Sequence, residues 1–129
     1  MNKYRESVEF VAASEHALKI AKIAAQAAYD KKAENIVLLD VSEHLVITDI
    51  FLIASADNER QVGAIVDAIE AALDEIDVDP IRREGNREGR WVLLDYFDIV
   101  VHVQQDEERS LYDLERLWSD CPHIPVELV

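Results

Sequence analysis

The sequence predicts an α/β (α+β) fold, in which a mixed β-sheet of about five strands carries three helices. Short runs of β-branched and apolar residues alternate with two long segments of helical periodicity. One run, 50–54, is apolar at every position, which is typical of a strand that is covered on both faces. The 129 residues contain only three glycines and three prolines, so we expect one globular domain over residues 1–129.

Two long helices are predicted from N-cap residues followed by apolar residues at helical spacing. Ser14 is the expected N-cap of the first helix, which presents mainly alanines to the core. Asn58 is the expected N-cap of the second, with Gln61 as its capping-box partner. A third helix is predicted from about 107 to 118. Its inward residues are expected to be Leu111, Leu114, Leu117 and Trp118.

Five segments of strand length are expected between and after the helices, at 35–40, 46–54, 80–83, 91–96 and 99–103. The last two are separated by a turn at Phe97-Asp98 and are predicted to form an antiparallel hairpin. The resulting order is αββαβββα, which packs helices on one mixed sheet. The first 13 residues and the proline-containing tail, 119–129, are expected to be loosely ordered.

Acidic residues dominate the charge of the chain. The formal net charge is −14 at pH 7, so phosphate backbones repel the protein, which argues against free DNA or RNA as its main partner. A basic protein partner is favoured instead. No apolar run approaches the roughly 20 residues that cross a bilayer, and the N-terminus lacks the apolar stretch of a secretory leader. We therefore expect a cytoplasmic protein with no membrane partner.

The stretch REGNREGRW, residues 83–91, departs from these acidic surroundings. Residues 82–90 hold four of the eight arginines and two of the three glycines. A phosphate-binding loop is not supported, because no helix follows and neither GxxxxGK[ST] nor GxGxxG is present. Gly85 and Gly89 are instead predicted to turn the chain between two strands at positive φ.

The sequence gives no positive support for a catalytic or metal site. Acidic residues are frequent enough for chance clustering at strand ends, although carboxylates near a histidine could hold Mg²⁺. The residues of this candidate group are Asp40, Asp49, Asp95, Asp98 and His102. No nucleophile elbow GxSxG exists, and the single cysteine, Cys121, allows no intrachain disulfide and no cysteine metal cage. We expect no catalytic residues, no cofactor and no metal.

Trp91 and its neighbours are the predicted binding residues. Strand alternation places Trp91, Leu93 and Asp95 on one face and the residues between them on the other. Tryptophan and arginine are the residue types most enriched in interface hot spots. A binding module is therefore favoured over an enzyme, although the alternative that Trp91 is a core residue stays open.

Several motifs, in order, resemble the Iojap family, whose bacterial members are the ribosomal silencing factors (RsfS). They are TDIFLIAS (48–55), RQV (60–62), EG (84–85), WVLLDY (91–96), VHV (101–103) and YDLERLW (112–118). Each motif is weak alone, but together they are specific, and the resemblance as a whole runs from about Ala17 to Trp118. The resemblance implies a fold akin to the nucleotidyltransferases without their catalytic motifs. The chain departs from the family at Ala56, where a glycine is common.

The resemblance also implies a function on the ribosome. Family members bind the large ribosomal subunit through its fourteenth protein, block joining of the small subunit and lower translation when nutrients are scarce. The tryptophan that matches Trp91 is a binding residue in the family. The candidate partner-binding residues are Trp91, Leu93, Asp95, Tyr96, Arg82 and Arg90. The arginines are also candidates for marginal contact with rRNA phosphate.

Two alternatives stay open at this point. One is a degenerate or unrecognised nucleotidyltransferase-like protein that binds a nucleotide. The other is a homodimer that pairs through an exposed edge of the sheet, which need not exclude ribosome binding.

Overall fold

One mixed sheet of five strands organises the protein, in the order β1-β2-β5-β4-β3. The computed structural model describes residues 12–85 and 89–129, so the expectations for 1–11 and 86–88 lie outside the described residues. The strands are β1 (Glu34–Asp40), β2 (Ile50–Ala56), β3 (Arg82–Gly85), β4 (Trp91–Asp95) and β5 (Ile99–Gln105). β2 and β5 are parallel, and the other neighbouring pairs, including the predicted β4–β5 hairpin, are antiparallel. The predicted sheet is confirmed.

Two long helices, α1 (Glu15–Asp30) and α2 (Glu59–Asp74), cover one face of the sheet, which we call the helical face. Both predicted N-caps are confirmed: the Ser14 hydroxyl accepts from the backbone N–H of Ala17 at 3.0 Å, and the Asn58 side chain accepts from that of Gln61 at 2.8 Å. The predicted capping box is only half formed, because the Gln61 side chain donates to the carbonyl of Lys31 instead. These caps satisfy backbone donors that the helices leave unpaired.

The main hydrophobic core lies between the helical face and the two long helices. The alanines of α1 are buried in it, as predicted, and so are Val92 and Leu94 of β4. Tyr96 belongs to the same core and is 4% exposed. The expectation that Tyr96 contacts a partner is therefore corrected: it follows the buried alternation of β4 and lies on the covered side of the sheet.

The opposite side of the sheet, which we call the second face, carries a smaller core. Its buried members are Leu39, Val41, Phe51, Ile53, Val100, Leu114 and Cys121. Two short helices, α3 (Asp106–Tyr112) and α4 (Leu114–Leu117), lie over this face, and Cys121 joins it from the start of the C-terminal tail. The tail is irregular, as predicted, yet the N–H of Ile124 donates to the carbonyl of Leu38 at 2.8 Å. This bond holds the tail beside β1.

The third predicted helix is broken in two, which corrects its expected inward face. Asp113 adopts left-handed angles, φ 45° and ψ 59°, between α3 and α4. A left-handed residue turns the chain, so the side chains before and after it no longer share one helical face. Leu114 is buried and Trp118 packs against the smaller core, as expected, whereas Leu111 and Leu117 are 72% and 71% exposed.

Several strand boundaries also differ from the expectation, because pairing with neighbours decides where a strand begins. β3, expected at 80–83, lies at Arg82–Gly85. β2 begins at Ile50, which pairs with Asp40 and Ile99, and the apolar residues Val46 and Ile47 lie exposed in the preceding connection. β5 continues two residues beyond its predicted end, beside the whole of β2. The seven residues of β2 are all buried, as its continuous apolar run predicts.

Asp113→Val is expected to lower the free energy of unfolding by about 1–2 kcal/mol, because a β-branched residue is strained in the left-handed region. Asp113→Gly supplies the same backbone angles without strain and is expected to keep wild-type stability. Urea denaturation of the three proteins measures both effects. An equal loss in the two variants would mean that the aspartate side chain, not the backbone angle, is responsible.

Candidate protein-binding surface

The second face of the sheet is left open over β3 and β4. Trp91, Leu93 and Asp95 of β4 all lie on this face, and each is partly exposed. Cross-strand pairing adds two residues of β3, because Arg82 lies opposite Asp95 and Glu84 lies opposite Leu93. We call these five residues the Trp91 surface. The predicted alternation along β4 is therefore confirmed.

Trp91 is held on one side and open on the other. Its indole N–H donates to Nδ1 of His102 at 3.2 Å, and its ring centroid lies 4.8 Å from that of Tyr112. On the other side a hollow of about 350 Å³ is lined by Glu84, Gly85, Trp91 and Leu93. Trp91 thus packs against the smaller core and still offers part of its ring to a partner. The alternative that Trp91 is a core residue therefore holds in part, and its contact with a partner stays a prediction.

His102 is the buried residue beneath the Trp91 surface. It lies opposite Leu93 on β5, and the Phe51 ring packs against it edge-on with centroids 4.8 Å apart. Burial lowers the pKa of the imidazole to about 4. The ring is therefore neutral near pH 7, which leaves Nδ1 free to accept the bond from Trp91. Its role is to support the tryptophan, consistent with the expected buried imidazole.

The structure does not bring the predicted arginines together. Arg82 lies on the second face, with Nε 3.1 Å from Glu84 and Nη2 3.4 Å from Asp95. The next residue, Arg83, points to the helical face and pairs with Glu70 at 2.9 Å. The arginines of this stretch that the structure describes therefore form no basic patch on the Trp91 surface.

Arg90 and the glycines lie near the start of β4. Arg90 is exposed at that end, whereas Arg82 lies beside the last residue of the strand, roughly 16 Å away along β4. Gly89 has a φ of 61°, as predicted, but Gly85 lies within β3 and is not among the positive-φ glycines. A Cβ at Gly85 would lie 3.2 Å from the Trp91 carbonyl oxygen. Gly85 thus allows close approach of two strands.

Arg109 ties the short helices to the sheet. Its Nε and Nη2 atoms each donate to the Glu115 carboxylate at 2.9 Å, Nη1 donates to the Ser55 hydroxyl at 3.1 Å, and Nη2 donates to the Asn35 carbonyl at 2.6 Å. We call these four residues the Arg109 network. The bond from Arg109 holds the pKa of the Glu115 carboxyl below its usual value. The network fixes α3 and α4 beside Trp91.

Sequence reasoning missed three residues of this region. Tyr112 falls at the end of a predicted helix, and helical periodicity alone does not show that the chain turns after it. Glu84 could have been found from the β3–β4 pairing, which places it opposite Leu93. Arg109 gave no signal, because its partners on the sheet are 54 and 74 residues away in the chain.

Two of the aspartates that were considered for a metal site, Asp40 and Asp49, accept hydrogen bonds from the backbone. Asp40 accepts from the N–H groups of Ala12 and Ala13, and Asp49 accepts from that of Ser14. Within residues 12–85 and 89–129, no group of three or more His, Cys, Asp or Glu side chains could hold a metal ion.

The Cys121 thiol is buried, which raises its pKa. Across the described residues no helix is long and apolar enough to span a membrane.

Known proteins resemble this chain over most of its length. The family model described as "Ribosomal silencing factor during starvation" matches residues 14–129. The ribosomal silencing factor RsfS of Bacillus subtilis (strain 168) is 46% identical over 103 residues, 80% of this chain and 87% of that protein. The chloroplastic protein Iojap of Zea mays is 30% identical over 111 residues, 86% of this chain and 47% of that protein.

A solved structure supports the fold independently. The crystal structure of a Chromobacterium violaceum protein matches with a TM-score of 0.77 at 35% sequence identity, and the match covers 88% of this chain and 92% of that one. The family resemblance and the predicted fold class are both confirmed.

The free energy of unfolding is expected to fall by about 2 kcal/mol through His102 between pH 7 and pH 5. The imidazole has a pKa of about 4 in the folded protein and an ordinary pKa of 6.5 in the unfolded chain, so the unfolded chain takes up the proton first. The stability from this group is present above pH 6.5 and is lost as pH falls towards 4. Urea denaturation of wild type and His102→Gln at both pH values measures it. An equally steep decline in the variant would contradict the assignment.

Arg109→Leu is expected to lower the free energy of unfolding by about 2–3 kcal/mol, because three acceptors lose their donor in a largely buried place. Arg116→Leu is the matched control, since Arg116 is an exposed arginine four residues beyond α3. Thermal and urea denaturation at pH 7 compare the two variants. Similar losses in both would show that the Arg109 network adds no stability.

Proposed function

Since this chain belongs to the RsfS family of ribosomal silencing factors, we propose that it binds the large ribosomal subunit and represses translation when nutrients are scarce. The contact is with the fourteenth protein of that subunit, through the Trp91 surface. The bound protein then stands where the small subunit must approach and blocks joining sterically. The family is described as a silencing factor rather than an enzyme, so no catalytic step is part of the proposal.

The observation that carries the proposal is the half-covered position of Trp91. Its indole is already oriented by His102 and Tyr112, so little side-chain freedom is lost on binding. The adjoining hollow, lined in part by Leu93, offers apolar surface for a partner side chain. A tryptophan fixed on one side and open on the other fits the pattern of an interface hot spot.

The charges around Trp91 favour a protein contact over an RNA contact. Both neighbours of the Arg82 guanidinium are carboxylates, Glu84 and Asp95, so its charge is compensated locally. A basic ribosomal protein meets no repulsion there, whereas rRNA phosphate does. Arg90 is placed at the margin of the surface, where we propose that any contact with rRNA phosphate is made.

No specific observation in the structure favours the two alternatives, nucleotide binding and homodimer formation. A nucleotide-binding site at the strand end 54–57 would need the Ser55 hydroxyl, which already donates to the Glu34 carbonyl and accepts from Arg109. A homodimer paired along the edge strand β3 would bring together its charged side chains, which disfavour edge-to-edge pairing.

Co-sedimentation with purified large ribosomal subunits tests the proposal. Trp91→Ala is expected to bind about 30-fold more weakly, equivalent to about 2 kcal/mol, after circular dichroism and thermal denaturation show that it is folded. Because Trp91 also packs against the smaller core, some stability is lost too.

Two adjacent arginines on opposite faces give a matched pair that spares the core. Arg82→Ala, on the Trp91 surface, is expected to weaken binding a few-fold, whereas Arg83→Ala, on the helical face, is expected to leave it unchanged. Equal effects would place the interface elsewhere. A wild-type protein that does not co-sediment would overturn the proposed function itself.

A further inference from the structure

A second apolar surface adjoins Trp91 at the turn between α3 and α4, which we call the α3–α4 corner (106–117). Leu111, Tyr112 and Leu117 are 72%, 53% and 71% exposed. They line a shallow groove of about 410 Å³ together with Asp113 and Arg116. Three large apolar side chains around one groove form a cluster, unlike the single apolar residues that are normal on a protein surface.

The fold does not need these side chains in this place. Leu114 alone of the corner's leucines enters the smaller core, and the left-handed angles at Asp113 turn Leu111 and Leu117 away from it. A left-handed residue other than glycine is energetically unfavourable, and the exposed leucines add no burial to offset that cost. The smaller core therefore accounts for the position of Leu114 and leaves Leu111 and Leu117 available for contact with a partner.

The corner and the Trp91 surface are continuous. The Tyr112 ring, which lines the groove, packs against the Trp91 ring, which lines the neighbouring hollow. The Arg109 network holds the corner in this position through the buried guanidinium. A single partner can therefore contact both surfaces without rearrangement of the corner.

The charge around the groove indicates the chemistry of the occupant. Asp113 lines the groove itself, and Glu107 and Glu108 lie one turn of α3 before Leu111, on the same side of the helix. The charge of Arg109 is directed to Glu115, so Arg116 is the cation that remains at the groove. An apolar groove with an acidic rim fits an aliphatic side chain flanked by lysine or arginine.

We propose that the α3–α4 corner is the second half of the docking surface and takes an aliphatic side chain, flanked by basic residues, from the same ribosomal protein that contacts Trp91. This inference rests on the proposed function, since it assigns part of that interface. It assigns the groove to the partner rather than to a second copy of this chain, because a second copy would bring its own acidic residues to an acidic rim.

Leu111→Ser and Leu117→Ser test the inference in the same co-sedimentation assay. Each is expected to weaken binding about 5-fold and the double variant about 25-fold, while the thermal midpoint stays at the wild-type value because the side chains are already exposed. Ile76→Ser and Tyr29→Ser are the controls, since both residues are exposed at the ends of the helices on the helical face. They are expected to bind as wild type does.

The charge of the occupant is tested by the double variant Glu107→Lys/Glu108→Lys. Binding is expected to weaken about 10-fold at low salt and less at high salt, because the attraction to basic residues is screened. Unchanged or tighter binding would overturn the assignment of a basic occupant.

The outcomes separate this inference from the proposed function. If Trp91→Ala loses binding while Leu111→Ser/Leu117→Ser binds as wild type does, the corner is not part of the interface and the proposed function stands. If wild type itself fails to bind, both fall together. Sedimentation velocity adds one further outcome: a loss of self-association in the leucine variants, without a loss of subunit binding, would make the corner a contact between copies and overturn the inference.

Discussion

The second face of this protein depends on one buried guanidinium. A charge in a largely buried place is costly unless every donor finds an acceptor, and Arg109 finds its acceptors on β1, β2 and α4 at once. These three elements must therefore be in place together. Since Tyr112 follows Arg109 by less than one turn of α3, the same bonds set the position of the ring that packs against Trp91.

The short length of α3 and α4 decides which part of the second face remains uncovered. Five strands make a sheet about 19 Å wide, and a helix with its side chains covers about 10 Å of that width. On the helical face two long helices lie side by side, and the sheet is covered. On the second face α3 and α4, with seven and four residues, lie over one side only. The open strip falls on β4 and β3, which is why Trp91 is at once a core residue and a surface residue.

The features that the sequence predicts correctly are those that depend on near neighbours in the chain. The caps at Ser14 and Asn58 bond within three residues, and the alternation of β4 places Trp91 and Leu93 on one face. The broken helix could not be predicted in this way, because a leucine spacing compatible with one helix continues across Asp113. The Arg109 network joins residues far apart in sequence, so no local pattern reports it. The number of arginines in this stretch likewise does not predict that the neighbours Arg82 and Arg83 lie on opposite faces of the sheet.

In the proposed complex, the acidic composition would keep the protein away from phosphate-rich sites. On a ribosome most of the surface is phosphate, so a net charge of −14 disfavours nearly every wrong site over a range of about 8–10 Å at physiological salt. Repulsion of this kind gives selectivity but no affinity. The affinity must then come from a small area in which an apolar group is desolvated against a basic protein. The Trp91 surface has that character, since its tryptophan is already fixed and its single arginine is compensated by carboxylates. In the proposed complex, selectivity would thus come from the acidic surface as a whole, and affinity from a few side chains on the second face.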